Sequence, residues 1–164
     1  MCSKTAGDRK MFENSKIFGF ERDFAGSLRC IPMITRQKLD MIGIKMTLRQ
    51  WSRLSHEERS RLVDMPCQTQ SEQDAYRAFV LDRIAARADE PVRYLGEQGL
   101  EEWQQSESMP QAVLTQAQTD LVAPPTSQQW AALTPLERFA LIKLARSQHE
   151  NENFVPALKE FGIL

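Results

Sequence analysis

Thr47-Leu-Arg-Gln-Trp51-Ser-Arg-Leu54-Ser55-His-Glu-Glu58-Arg59-Ser-Arg-Leu62 returns 79 residues later as Thr126-Ser-Gln-Gln-Trp130-Ala-Ala-Leu133-Thr134-Pro-Leu-Glu137-Arg138-Phe-Ala-Leu141, with seven of the 16 positions identical and no gap. Each copy opens on a capping box. The threonine oxygen accepts the amide three residues on, and the glutamine side chain reaches back to the threonine amide. Ser55 with Glu58, and Thr134 with Glu137, repeat the device before a second helix. The tryptophan and the two leucines stand at helical spacing and serve as core anchors. This predicts an all-α fold: a single compact helical domain built from two pseudo-repeated helical units.

Further helices extend each unit. Ile31-Pro32 opens one, because proline is pre-organised for a first helical turn. It carries Met33, Ile34, Leu39 and Ile42 and stops near Gly43. Past Pro66, Thr69 with Glu72 caps a long helix over about 70–88, with Ala75, Tyr76, Phe79, Val80, Ile84 and Arg87 along one face. In the second unit Ser108 with Gln111 is expected to cap a helix at Pro110, mirroring Pro32. A long helix runs through Phe139, Ile142 and Leu144, and Pro156 to Phe161 forms a short one closed by Gly162.

The units span about 31–88 and 109–162, with 89–108 as linker. A helix is expected around Leu100 to Ser106, and a mobile connection near Ala123-Pro124-Pro125. Residues 1–16 read as a flexible tail ahead of a single domain over 17–164. Phe18 and Phe20 alternate with other residues, which predicts a short extended N-terminal segment.

Lys and Arg number 21 against 22 Asp and Glu, a net charge of −1. Counterion release needs surplus cations, so nucleic acid is not an expected partner. The second copy also replaces Arg49, Arg53 and Arg61 by Gln128, Ala132 and Ala140, unlike a symmetrical DNA reader. No apolar run approaches the roughly 18 residues that span a bilayer, and Met1 to Lys10 lacks the apolar core of a signal peptide. Cys2, Cys30 and Cys67 are scattered, as free thiols in a reducing compartment are. A cytoplasmic protein without a membrane partner is expected.

The chemistry-bearing residues are few. The histidines are His56 and His149, and the chain shows no Gly-rich phosphate loop, nucleophile elbow or paired zinc spacing. No catalytic residue, metal or cofactor is predicted, and the chain reads as a non-enzyme. Arg59 and Arg138 follow the second capping glutamate in each copy, and neither has a local helical role. Each is predicted to pair with a carboxylate of its own half and hold one helix against the next. Two polar strings flank the repeated units: Arg29-Cys30 with Arg36, and Arg146 with His149 and Asn153. Brought together, these six residues would form a ligand- or partner-binding site.

Two longer strings carry a resemblance. They are Phe18-x-Phe-Glu-x-Asp-Phe24-x-Gly-Ser-Leu-Arg-Cys30-Ile-Pro-Met33-x-x-Arg36-x-Lys-Leu-Asp40-x-x-Gly43-Ile-Lys45, and Arg146-Ser-x-His149-Glu-Asn-x-Asn153-Phe. The chain resembles the conserved nitrate reductase-associated proteins over most of residues 17–162. The resemblance implies a place beside genes for assimilatory nitrate reductase and molybdopterin cofactor synthesis, and brings no catalytic or binding residues with it. The expected function is therefore a non-catalytic accessory protein of nitrate assimilation acting by protein–protein interaction. Nitrate reductase and molybdopterin-cofactor proteins are the expected partners. The alternative is a small-ligand binding protein, for molybdopterin, nitrate or a metal, in the same pathway.

Overall fold

A computed structural model describes residues 16–96 and 102–164. Its α-helices in chain order are α1 (Arg22–Ala25), α2 (Met33–Met41), α3 (Leu48–Arg53), α4 (His56–Asp64), α5 (Gln70–Arg87), α6 (Gln111–Thr119), α7 (Ser127–Ala132), α8 (Pro135–Arg146) and α9 (Phe154–Glu160). Two short strands, β1 (Ile44–Lys45) and β2 (Arg93–Tyr94), pair antiparallel with Ile44 opposite Tyr94. The fold is all-α apart from that ribbon. Residues 1–15 of the expected tail, and the Leu100 start of the expected linker helix, lie outside the described residues.

The repeated stretches adopt the same local structure. Thr47 and Thr126 cap α3 and α7, accepting the amides of Gln50 and Gln129 at 3.0 and 3.1 Å. Ser55 and Thr134 cap α4 and α8 in the same way. Thr69 and Glu72 form the capping box of α5. Trp51 and Trp130 are buried, and their indole N–H groups donate to the Leu28 and Gln105 carbonyls at 2.8 and 3.1 Å. Both capping glutamines also reach past their own helix, Gln50 to the Pro91 carbonyl and Gln129 to that of Ile163.

Arg59 and Arg138 depart from the expected pairing. Neither meets a carboxylate among the described residues; both are spent on backbone carbonyls. Arg59 donates to Trp51 O at 3.0 Å, Ser52 O at 2.8 Å and Leu28 O at 3.2 Å. Arg138 donates to Trp103 O at 2.8 Å, Leu133 O at 2.6 Å and Trp130 O at 3.4 Å. Each guanidinium thus closes the carbonyl end of the preceding six-residue helix, where unpaired acceptors and the negative end of the helix dipole favour a cation. A carboxylate is unnecessary because those carbonyls already supply the negative potential. Burial lowers the pKa of Arg138.

Other departures are local. Residues Gly19–Glu21 form a 3-10 turn that runs into α1, so only Phe18 of the expected extended segment is extended. The Glu160 carboxylate bends the chain there by accepting from the Gly19 and Phe20 amides at 2.5 and 3.1 Å. A Cβ at Gly19 would stand 2.8 Å from a Glu160 carboxylate oxygen, so a side chain there would push that carboxylate aside. Pro32 and Pro110 sit at the N-cap of α2 and α6 rather than inside the first turn, and Ser108 does not cap α6. The linker helix is a 3-10 turn, Glu102–Gln104. Gly43 does stop α2, with a positive φ of 72°.

The buried side chains form two clusters. One gathers residues of α2 to α5, centred on Trp51, Leu62, Tyr76 and Val80. The other gathers α6 to α9 with Trp103, centred on Trp130, Phe139, Leu141 and Phe154. Helix α2 serves both: Leu39 belongs to the first, Met33 to the second, and Met41 packs on each.

Three outcomes are expected in urea denaturation. Trp51→Ala and Trp130→Ala should each cost about 3–5 kcal/mol, since both rings fill the core and donate a hydrogen bond there. Arg138, 5% exposed, should lose roughly 3 kcal/mol or more on mutation to Ala, because its carbonyls are left buried without donors. Arg59→Ala should lose only about 1–2 kcal/mol, because water replaces the half-buried guanidinium.

Candidate binding cleft at the seam of the two clusters

Arg36 of the first polar string lies where α2 faces the end of α8. Arg36 sits in the middle of α2 and points across the seam. Its two terminal nitrogens each donate to a Glu150 carboxylate oxygen at 2.8 Å, and its Nε donates to the Ile31 carbonyl at 3.0 Å. Glu150 is held in turn by its amide, which donates to the Ser147 hydroxyl just after α8. One helical turn beyond Arg36, Asp40 pairs with Lys143 of α8 at 2.8 Å. The spacing of Arg36 and Asp40 puts an opposite pair of charges on one face of α2, and α8 with its following turn answers both.

These ion pairs frame a cleft of about 350 Å³. Ile31, Leu39, Ile44 and Met46 give it an apolar floor, Cys30 and Lys45 stand at its edges, and Leu48 lies on the rim. Leu48 is 55% exposed although it opens a helix whose remaining apolar side chain, Trp51, is buried. Burial opposes the Arg36 charge, but the hydrogen bonds to Glu150 outweigh it and raise the Arg36 pKa. The same hydrogen bonds lower the Glu150 pKa. At neutral pH the Arg36 and Glu150 charges are therefore both present and matched to each other, beside the Lys143–Asp40 ion pair.

Of the six residues singled out from the sequence, Arg36 and Cys30 line the cleft. Cys30 is half-buried, while Arg29 beside it is exposed. Arg146 is drawn away to Glu102, at 2.6 Å. His149 is exposed and Asn153 belongs to the 3-10 turn that leads into α9; neither lines the cleft. The residues that sequence reasoning missed are Asp40, Lys143, Glu150 and Leu48. The signal for the first three was present: opposite charges one turn apart on α2, a lysine just before the second string and a glutamate within it. Which charge would answer which required the packing of α2 on α8. Among the described residues no group of three or more His, Cys, Asp or Glu is placed to hold a metal ion.

Behind the cleft a second carboxylate closes the start of α2. Glu21 is 1% exposed and accepts from the Met33 amide at 3.0 Å and the Phe18 amide at 3.2 Å. Burial pushes its pKa up to about 7, against the pull of those two amides and of Arg36, while Glu160 adds to the rise. Glu58 is the opposite case. Its hydrogen bond from Arg83, with the Ser55 amide and Arg87, lowers its pKa to about 2.

A family model for conserved nitrate reductase-associated proteins matches residues 17–161. The chain belongs to that family. The matched span runs from the segment tied down by Glu160 to the end of α9, and every cleft residue lies within it. Searches of curated proteins and of solved structures each found no match. Among the described residues no helix is long and apolar enough to cross a membrane.

The carboxylates give the family member a defined pH profile. Glu21 binds its proton more tightly in the folded chain, so its contribution is fully present below about 4.5 and is lost as the pH rises through about 7. Glu58 and Glu150 act oppositely, adding stability above their ordinary range that is lost on acidification. Stability in urea should therefore be greatest near pH 5 and fall by roughly 3 kcal/mol toward pH 8. Glu21→Gln should flatten that alkaline decline, and an unchanged slope would assign it to another group.

Proposed function

We propose that this protein is a non-catalytic accessory protein of nitrate assimilation that binds nitrate reductase through the seam cleft. The observation that carries this reading is Leu48, exposed on the rim of an apolar-floored cleft whose framing charges, Arg36 with Glu150 and Lys143 with Asp40, are already satisfied by one another. An apolar side chain from a partner can enter such a cleft without stranding a buried charge, which is the condition for a favourable protein contact. Membership of the nitrate reductase-associated family supports the choice of partner.

A small-ligand role in the same pathway, for molybdopterin, nitrate or a metal, is the second reading. Cys30 and Arg36 at the cleft favour it. It is the weaker one, because an anion would have to displace Glu150 from both nitrogens of Arg36.

The test is direct binding of purified nitrate reductase by size-exclusion chromatography and surface plasmon resonance. Wild-type protein should form a complex, and Leu48→Asp should weaken it about tenfold or more while leaving the fold intact, since the side chain is at the surface. Absence of a complex, with unchanged growth on nitrate after gene deletion, overturns the reading. Stabilisation of the free protein by millimolar molybdopterin or nitrate would instead favour the small-ligand site.

A further inference from the structure

Between Asp40 and Glu57 the side chains charged at pH 7 are Lys45, Arg49 and Arg53, a run of cations in a chain whose net charge is −1. Lys45 lines the Leu48 cleft, Arg49 follows Leu48 in the first turn of α3, and Arg53 stands one turn further on. The ribbon adds a fourth cation. Arg93 of β2 is the direct partner of Lys45 in β1, so the two side chains leave one face of the ribbon, and both residues are exposed.

Like charges directly opposite each other weaken a ladder. Here nothing offsets them: none of Lys45, Arg93 and Arg53 has an ion pair or a side-chain hydrogen bond among the described residues. Arg49 meets Glu90 at 3.4 Å, and that carboxylate also accepts from the Thr47 hydroxyl. The carboxylates of the cleft itself, Asp40 and Glu150, are taken by Lys143 and Arg36. The helices do not need these cations. In the second of the two similar stretches Pro124, Gln128 and Ala132 stand in place of Lys45, Arg49 and Arg53, and Ser127 in place of Leu48. Helix α7 still keeps the Thr–Gln box and the buried tryptophan. The cations and the exposed leucine are therefore peculiar to the cleft side, and a locally unfavourable pairing with no structural return is a sign of function.

We propose that the Leu48 cleft takes an acidic protein segment, whose carboxylates pair with Lys45 and Arg93 while an apolar side chain of the same segment packs on Leu48. This rests on the reading of the cleft as a partner-binding surface and names the chemistry of what enters it. A carboxylate set between Lys45 and Arg93 removes their mutual repulsion and gains charge-assisted hydrogen bonds. Because these cations are exposed, they act mainly on encounter rate and on the choice of partner, and salt screens them. A nucleic acid would supply anions too, but its backbone offers no apolar side chain to cover Leu48. The pairing of an exposed leucine with unmatched cations favours a protein segment.

Calorimetric titration of the full chain tests this with a short synthetic peptide of Glu and Asp around one Leu, the same peptide with Lys for its acids, and a single-stranded oligonucleotide of equal charge. At low salt the acidic peptide should bind with a dissociation constant of about 1 mM or tighter, and about tenfold more weakly at an ionic strength of roughly 0.3 M. The basic peptide should not bind. Lys45→Glu should weaken the acidic peptide about tenfold without lowering the melting temperature, because it sets opposite charges across the ribbon. Lys159→Glu, the same change of charge at an exposed position on α9, should leave the affinity within about twofold. No binding of the acidic peptide at about 5 mM, unchanged affinity in Lys45→Glu, or equally tight binding of the oligonucleotide would overturn the proposal. A nitrate reductase complex lost in Leu48→Asp but indifferent to Lys45→Glu would also overturn it, with the cleft reading left intact. Binding of the acidic peptide without any reductase complex would uphold it and remove the reductase as the partner.

Discussion

A guanidinium group set against the open carbonyl end of a six-residue helix is the contact on which this structure depends. Helices as short as α3 and α7 do not persist alone, because nucleation costs more than one or two turns return. Here each is closed at both ends, by a Thr–Gln box at the start and by Arg59 or Arg138 at the finish. The same arginine belongs to the following helix and also grips an upstream carbonyl, Leu28 or Trp103. Two consecutive helices and a segment 31 or 35 residues upstream are thereby fixed around one tryptophan. Leu28 accepts this role in the left-handed region, at φ 61°, a conformation that a leucine adopts only where the surroundings enforce it.

Helix α2 then joins the two clusters. Its apolar residues are divided between them, and its charged face supplies Arg36 and Asp40 to the ion pairs with Glu150 and Lys143. Because those charges sit at the seam, the clusters meet along a partly polar boundary. A groove with matched charges and an apolar floor is the consequence. The seam is continued on the other side by Glu160, which captures the amides of Gly19 and Phe20 and stacks Phe18, Phe20 and Phe161 together. The proposed partner surface thus lies along α2, lined there by Arg36, Leu39 and Asp40.

The repeated stretch made the helices at both places legible, since capping boxes are local and their partners sit three residues apart. It misled on Arg59 and Arg138 because a carbonyl leaves no mark in a sequence, whereas a carboxylate does. At Phe18 and Phe20 alternation suggests a short extended segment. A glutamate 140 residues away from Phe20 turned that segment instead. The capping box and periodicity place the long helix at about 70–88, and it spans Gln70–Arg87, but its buried face narrows to Tyr76, Val80 and Ile84.

By itself the sequence determined the fold class, the helix starts, the buried tryptophans and the family, because each rests on residues close together in the chain or on strings matched in order. The tertiary structure decided which charges neutralise one another, which of the marked residues share a cleft, and which polar side chains are buried without partners. Arg36 could have met any carboxylate of the second half; packing of α2 on α8 chose Glu150. Those outcomes depend on distances between segments more than a hundred residues apart, for Arg36 and Glu150 114 of them, and such distances are fixed by the shape of the whole core rather than by local sequence.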